Sequence, residues 1–213
     1  LEAFASREAQ RHGLQVNQRK VLAHATGTHY RRVRVELAVS GHEGEFYRWL
    51  DRLQDPTEFR ALTSLTISPK RNDDTLVETR VVVEQWHPKA GAEKEKDGGG
   101  VLEAKWAELH PVVETSHWPM EVLLQVAKGR PDGELRFSRL EILNEQVPPV
   151  GVMRSIMLVG RAGKLDEVMT FRQNLRKNQA LDDYKWSLSA PREEARTGHW
   201  AFVVQGVYTP REE

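Results

Sequence analysis

The stretch that decides the fold is Tyr30-Arg31-Arg32-Val33-Arg34-Val35-Glu36-Leu37-Ala38-Val39-Ser40, followed by Gly41-His42-Glu43-Gly44-Glu45-Phe46. Val33, Val35, Leu37 and Val39 alternate with Arg32, Arg34 and Glu36, the period of a strand with one face in a core and the other in water. Beyond the glycines the period changes. Phe46, Trp49, Leu50 and Leu53 fall at i, i+3, i+4 and i+7, so Glu43 to Asp55 reads as a helix with one apolar stripe, ended before Pro56. Strand-like runs follow at Phe59 to Ser68 and Leu76 to Trp86, separated by the turn-forming run from Pro69 to Asp74. Upstream lie a helical segment, Leu1 to His12, closed by Gly13, and a short strand from Leu14 to Leu22. The first stretch of chain therefore reads αββαββ.

The same order returns further on. A helix is expected over Pro119 to Lys128, strands over Glu134 to Gln146 and Gly151 to Val159, a helix over Lys164 to Lys177, and strands over Leu181 to Ala190 and His199 to Thr209. Leu158-Val159-Gly160-Arg161-Ala162-Gly163-Lys164-Leu165 repeats the apolar-x-Gly-x-x-Gly-x-apolar pattern of Val39 to Phe46. The offset from Gly41 to Gly160 is 119 residues, and it also places Leu37 over Ile156. Such an internal repeat defines an architecture before any single motif does. Between the repeats, residues 89 to 100 hold no large apolar side chain and three consecutive glycines, the composition of a linker. The expected organisation is a first module over 1–88, a linker or mobile loop over 89–105, and a second module over 106–213. The expected class is α+β: two tandem ferredoxin-like modules, each an antiparallel sheet with helices on one face and the other face wet.

The arrangement resembles the periplasmic domain of the PilO-like family, and more loosely the GspM-type proteins of type II secretion. The residues that carry the resemblance are Val35 to Gly41, Phe46 to Leu53, Leu62 to Ile67 and Val81 to Glu84. In the repeat they are Ile156 to Gly160, Leu165 to Leu175 and Trp200 to Tyr208. PilO has one such module, and this chain reads as two. The resemblance implies a noncatalytic scaffold of a type IV pilus or secretion machine: the periplasmic domain of an inner-membrane protein, partnered by itself and by PilN-, PilO- or GspL-like subunits. It also implies that Leu1 to His12 continues an upstream coiled coil, with membrane contact only through an anchor before Leu1. The rival reading is a small-molecule-binding regulatory module of ACT-like type, which would open on a strand where each repeat here opens on a helix.

Composition excludes several chemistries. The chain has 213 residues, Lys+Arg 31 against Asp+Glu 31, and Cys 0. Balanced charge argues against a nucleic-acid partner, and without cysteine there is no disulfide, thiolate metal site or cysteine nucleophile. No run approaches the ~20 apolar residues of a membrane-spanning helix. The eight histidines show no HExxH spacing, and no G-x-S-x-G elbow appears. Asp182-Asp183 and Glu193-Glu194 are adjacent pairs whose side chains diverge on a strand, so they do not form a proton-sharing dyad. The Arg31-Arg32-Val33-Arg34 cluster, with tryptophans such as Trp86 and Trp186, would suit an RNA-binding sheet only if aromatics stood on its open face. No catalytic residue, cofactor or metal ligand is therefore expected.

Two features remain as candidate sites. Gly41, Gly44, Gly160 and Gly163 read as strand-to-helix turns, favoured over an anion cradle because no Lys-Ser/Thr pair accompanies them. In the repeat register, Arg34, Glu36 and Ala38 of the first module correspond to Met153, Ser155 and Met157 of the second. With Val159, these make an apolar stripe where a wet face is expected, so Met153, Ser155, Met157 and Val159 form a candidate interface, covered by residues 101–118, by the first module or by a partner chain.

Overall fold

The computed structural model describes residues 1–71, 73–89, 105, 109, 119–147 and 151–209. Helix α1 spans Glu2–Arg11 and leads through Gly13, at φ 66°, into strand β1, Gln15–Val21. A two-residue strand β2, Ala25–Thr26, precedes β3, Tyr30–His42. Helix α2, Glu43–Leu53, is ended by the chain's turn toward Pro56, where Asp55 caps a short 3-10 turn by accepting from Thr57 N at 3.0 Å. Strands β4, Arg60–Lys70, and β5, Asp73–Pro88, complete the first half. The second half repeats the order with α3, Pro119–Lys128; β6, Arg136–Val147; β7, Gly151–Ala162; α4, Leu165–Lys177; β8, Tyr184–Leu188; a two-residue β9, Arg192–Glu193; and β10, Trp200–Tyr208. The linker expected over 89–105 falls, Lys89 and Lys105 apart, outside the described residues.

Helices α1 to α4 cover one face. Phe46, Trp49, Leu50 and Leu53, the stripe read from the sequence, are fully buried against Val35, Leu37, Val39, Leu62, Leu65, Val81 and Val83. Alanines at 5 and 9 bring α1 close to this layer, and Trp49 Nε1 donates to the Ala5 carbonyl at 3.1 Å, so the one polar atom of a buried ring is satisfied where the helices meet. In the second half Val122, Val126, Val168, Phe171 and Leu175 pack on Ile142, Ile156, Leu158, Phe202 and Val204. The α+β class with helices on one face holds as read.

The sheets do not stay separate. Strand order is β1-β3-β5-β4-β6-β7-β10-β8, a single antiparallel sheet with β2 and β9 added at its flanks. Each half has the same internal order: its second strand lies between the first and the fourth, and the third lies outermost. The halves join where β4 pairs β6 through Ser64↔Leu143, Leu65↔Ile142, Thr66↔Glu141 and Ile67↔Leu140. One hydrophobic core runs beneath the junction, from Ala5 through Leu65 and Ile142 to Val204. Edge backbone groups left unpaired by each half satisfy one another there, which two independent sheets would leave to water.

The expectation of a wet outer face also needs correction at one end. Arg32, Glu84 and Trp86 point away from the helices yet are buried, together with Ala61 and Leu109 and beside Tyr30 and Phe59. Leu109, a helical residue from the segment between the halves, packs on this side of the first half.

A candidate interface on the outer sheet face

The outer face, opposite the helices, divides into three zones. In the first, Glu84 has a side chain only 3% exposed. It lies 2.8 Å from Arg34 Nε and 3.8 Å from Arg32 Nη1, and it accepts from Trp86 Nε1 at 3.3 Å. The Arg32 guanidinium stands 5.2 Å over the Trp86 ring. A carboxylate is tolerated this deep because two guanidiniums and an indole N–H surround it. Of the basic cluster read from the sequence, Arg32 and Arg34 therefore belong to an ion-pair network around the buried Glu84, with Trp86 inside it, while Arg31 is exposed.

The second zone lies over the β4–β6 junction, where a shallow groove of about 450 Å³ is lined by Ala38, Thr66, Ser68, Arg80, Arg139 and Glu141 among others. Both of its arginines have acidic neighbours: Arg139 pairs with Glu141, and Arg80 Nε lies 4.0 Å from Glu36 beside the groove.

In the third zone β7 sits between β6 and β10, and the register lines up side chains in rows. Ser155 lies between Leu143 and Val207, Met157 between Glu141 and Gln205, and Val159 between Arg139 and Val203. Met153 is 48% exposed and Val207 46% exposed, while Leu143, Ser155, Met157, Val159 and Val203 are half-buried. The four residues singled out from the sequence thus share one face, and the fold adds Leu143, Val203 and Val207 to them. Those three were missed because none belongs to β7: Leu143 lies on β6, and Val203 and Val207 lie on β10. Their signal was present in the alternation of β6 and β10, but only the register shows that the rows coincide.

The glycines play a different part from turns alone. Gly41 and Gly160 lie within β3 and β7, Gly44 within α2, and Gly163 at the bend before α4. A Cβ at Gly160 would come within 3.0 Å of the Arg136 carbonyl oxygen and of Phe202 Cζ (2.7 Å), so close approach of β6 and a core ring requires glycine there. The acidic pairs do not converge either: Glu194 is engaged by Arg161 Nε at 2.9 Å, and Glu193 is an exposed residue of β9. Among the described residues, no group of three or more His, Asp or Glu side chains is placed to hold a metal ion. Trp186 is buried on the helix side and Trp200 packs against the same core, so neither they nor Trp86 stand open on the outer face. Trp106 and Trp118 lie outside the described residues. Burial pushes the Tyr184 hydroxyl up to about 12. Burial and the nearby Glu43 carboxylate also push Tyr47 up. Both are packing effects away from the outer face. No described helix is long and apolar enough to cross a membrane.

Neither a family model nor a curated protein sequence matches this chain. Among solved structures it is similar to the type 4 fimbrial biogenesis protein PilO from Pseudomonas aeruginosa, at 13% identity and a TM-score of 0.37, covering 40% of this chain and 64% of that one. It is also similar to the core region of PilO from the type IV pilus system of the same organism, at 13% identity and a TM-score of 0.35, covering 39% of this chain and 91% of that one. Superpositions this partial leave function to be argued from the geometry.

Proposed function

We infer that this chain is a noncatalytic assembly subunit: the periplasmic scaffold part of a type IV pilus or type II secretion-like machine, built from two tandem modules, 1–88 and 106–213, and acting through protein–protein contacts. The observation that carries the contact role is the asymmetry of the outer face. One end is sealed over Glu84 and Trp86, whereas the other presents Met153, Met157, Val159, Val203 and Val207 in adjoining rows. Apolar side chains grouped in this way on an outer face and bordered by Arg139, Glu141 and Gln205 mark an interaction site, and thioethers suit a contact that adapts to its partner. The machine and the partner class, PilN-, PilO- or GspL-like subunits, are supported by the sequence resemblance of Val35 to Leu53 and of Ile156 to Leu175.

Met157→Lys tests the reading. Placed on a half-buried outer position, the lysine is expected to change unfolding free energy by no more than ~0.5 kcal/mol and to abolish binding to such subunits. A variant that binds them like the wild-type chain refutes the interface.

A further inference from the structure

The junction inside the chain shows how one half mates with another: the third strand of the first half, β4, pairs with the first strand of the second, β6. Among the described residues the continuous sheet ends in β1 and β8, each paired on one side only. These are again a first strand and a third strand. The two ends of the described sheet are therefore the same kinds of edge that mate at its centre, and a second copy presents β8 to β1 just as β4 is presented to β6.

The repeat register makes the comparison residue by residue. Lys20 pairs with Glu36 as Leu143 pairs with Ser155, and Glu36 and Ser155 are 119 residues apart, so Lys20 takes the place of Leu143. Lys185 pairs with Val207 as Ser64 pairs with Val82, and Val82 and Val207 are the partners of Glu36 and Ser155, so Lys185 takes the place of Ser64. At the internal junction Ser64 lies directly opposite Leu143. Carried over to two copies, that register sets Lys185 of one against Lys20 of the next, with Trp186 against Arg19, Ser187 against Gln18 and Leu188 against Val16.

We propose that β8 and β1 form a latent head-to-tail interface between copies of this chain, held apart by the like charges of Lys20 and Lys185. Both lysines are exposed. Neutral Ser64 and Leu143 occupy the mated edge, and a lysine occupies each unmated one. Like charges directly opposite on paired strands are destabilising, and lysine on an edge strand is a known means of keeping sheets from joining. The neighbouring charges leave the conflict in place: Glu36, across from Lys20, faces Arg80 at 4.0 Å, and Arg19 Nη1 is held by Glu2 at 3.1 Å. Joining β8 to β1 uses two different edges, so release of the lock gives head-to-tail assemblies, as rings or as open chains. The inference rests on strand registers and stands independently of the scaffold reading.

A charge-swap cycle tests it by sedimentation velocity of the 213-residue chain at rising concentration, with circular dichroism confirming that each variant is folded. Lys20→Glu and Lys185→Glu each place a carboxylate opposite the remaining lysine, and each is expected to form oligomers that grow with concentration and dissolve in high salt. The double variant restores like charges and is expected to sediment as the wild type does. Two single variants on opposite edges keep the test valid if one fails to fold. Single variants indistinguishable from wild type overturn the proposal, as does a double variant that associates as strongly as either single one.

Discussion

Gly41 and Gly160 occupy equivalent places in the repeat, yet substitution by alanine is expected to affect them unequally. A Cβ on Gly160 meets the Arg136 carbonyl oxygen and the Phe202 ring, one of them backbone in the paired strand β6 and the other a buried aromatic. Neither yields without opening the β6–β7 ladder or repacking Phe202 against Phe137 and Phe171, whose ring centroids lie 6.4 Å from it. Overpacking of this kind costs about 1–3 kcal/mol, and a weakened ladder hydrogen bond adds about 1 kcal/mol. The loss of unfolded-state freedom on replacing glycine returns about 0.4–1 kcal/mol. The net expectation for Gly160→Ala is destabilisation of roughly 1–3.5 kcal/mol, or a drop of about 2–14 °C in Tm at this chain length. At Gly41 the nearest obstacle is Leu14 Cδ2, the end of a flexible side chain, with Leu14 Cα at 3.5 Å. Gly41→Ala is therefore expected to cost about 1 kcal/mol or less, because a rotamer change relieves it. Urea denaturation followed by circular dichroism measures both, with unchanged m-values showing that only stability has moved. Equal losses at the two positions, or no loss at Gly160, refute the reasoning from close approach.

Glu84→Ala leaves the buried Arg32 guanidinium without its carboxylate and is expected to cost about 3 kcal/mol or more. Arg139→Ala, which breaks the more exposed pair with Glu141, is expected to cost less than about 1 kcal/mol in the same denaturation assay. Raising the pH tests Tyr184. Its hydroxyl ionises at about 12 in the folded chain against 10.0 ordinarily, so the unfolded chain loses its proton first. The stability present below pH 10.0 then falls as pH rises toward 12. Thermal melts across that window are expected to show a steeper decline for the wild type than for Tyr184→Phe, and parallel declines would refute the assignment to this residue.

Much of the fold was legible because local periodicity and burial agree. Val35, Leu37 and Val39 alternate and are buried; Phe46, Trp49, Leu50 and Leu53 recur at helical spacing and are buried; both helix–strand orders follow from such runs. The merging of the sheets was not legible. Ser64 to Ile67 and Leu140 to Leu143 are ordinary strand sequences, and nothing local in either names a partner more than seventy residues away. Arg32 was misread for a related reason: its alternation with Val33 assigns it to the outer face, where it does lie, but the residue that helps to bury that face, Leu109, is remote in sequence. At the candidate interface, Met153 and Met157 were conspicuous only by contrast with Arg34 and Glu36 in the repeat register, and their neighbours from β6 and β10 required the registers themselves.

The four residue pairs between β4 and β6 also bear on how the chain reaches its native state. The β3–β5 pairs of the first half lie at most 58 residues apart, from Tyr30 to Pro88, whereas the β4–β6 pairs lie from 73 apart, Ile67 to Leu140, to 79 apart, Ser64 to Leu143, and the loop closed before such contacts form costs more entropy. Until they form, Ser64-Leu65-Thr66-Ile67 is an open edge without a lysine on it. It can then take the β6 of a neighbouring molecule in place of its own, because the two are chemically identical. Refolding at high concentration is consequently expected to have a bimolecular route, an exchange of second halves between two chains, that competes with the intramolecular one and fades on dilution.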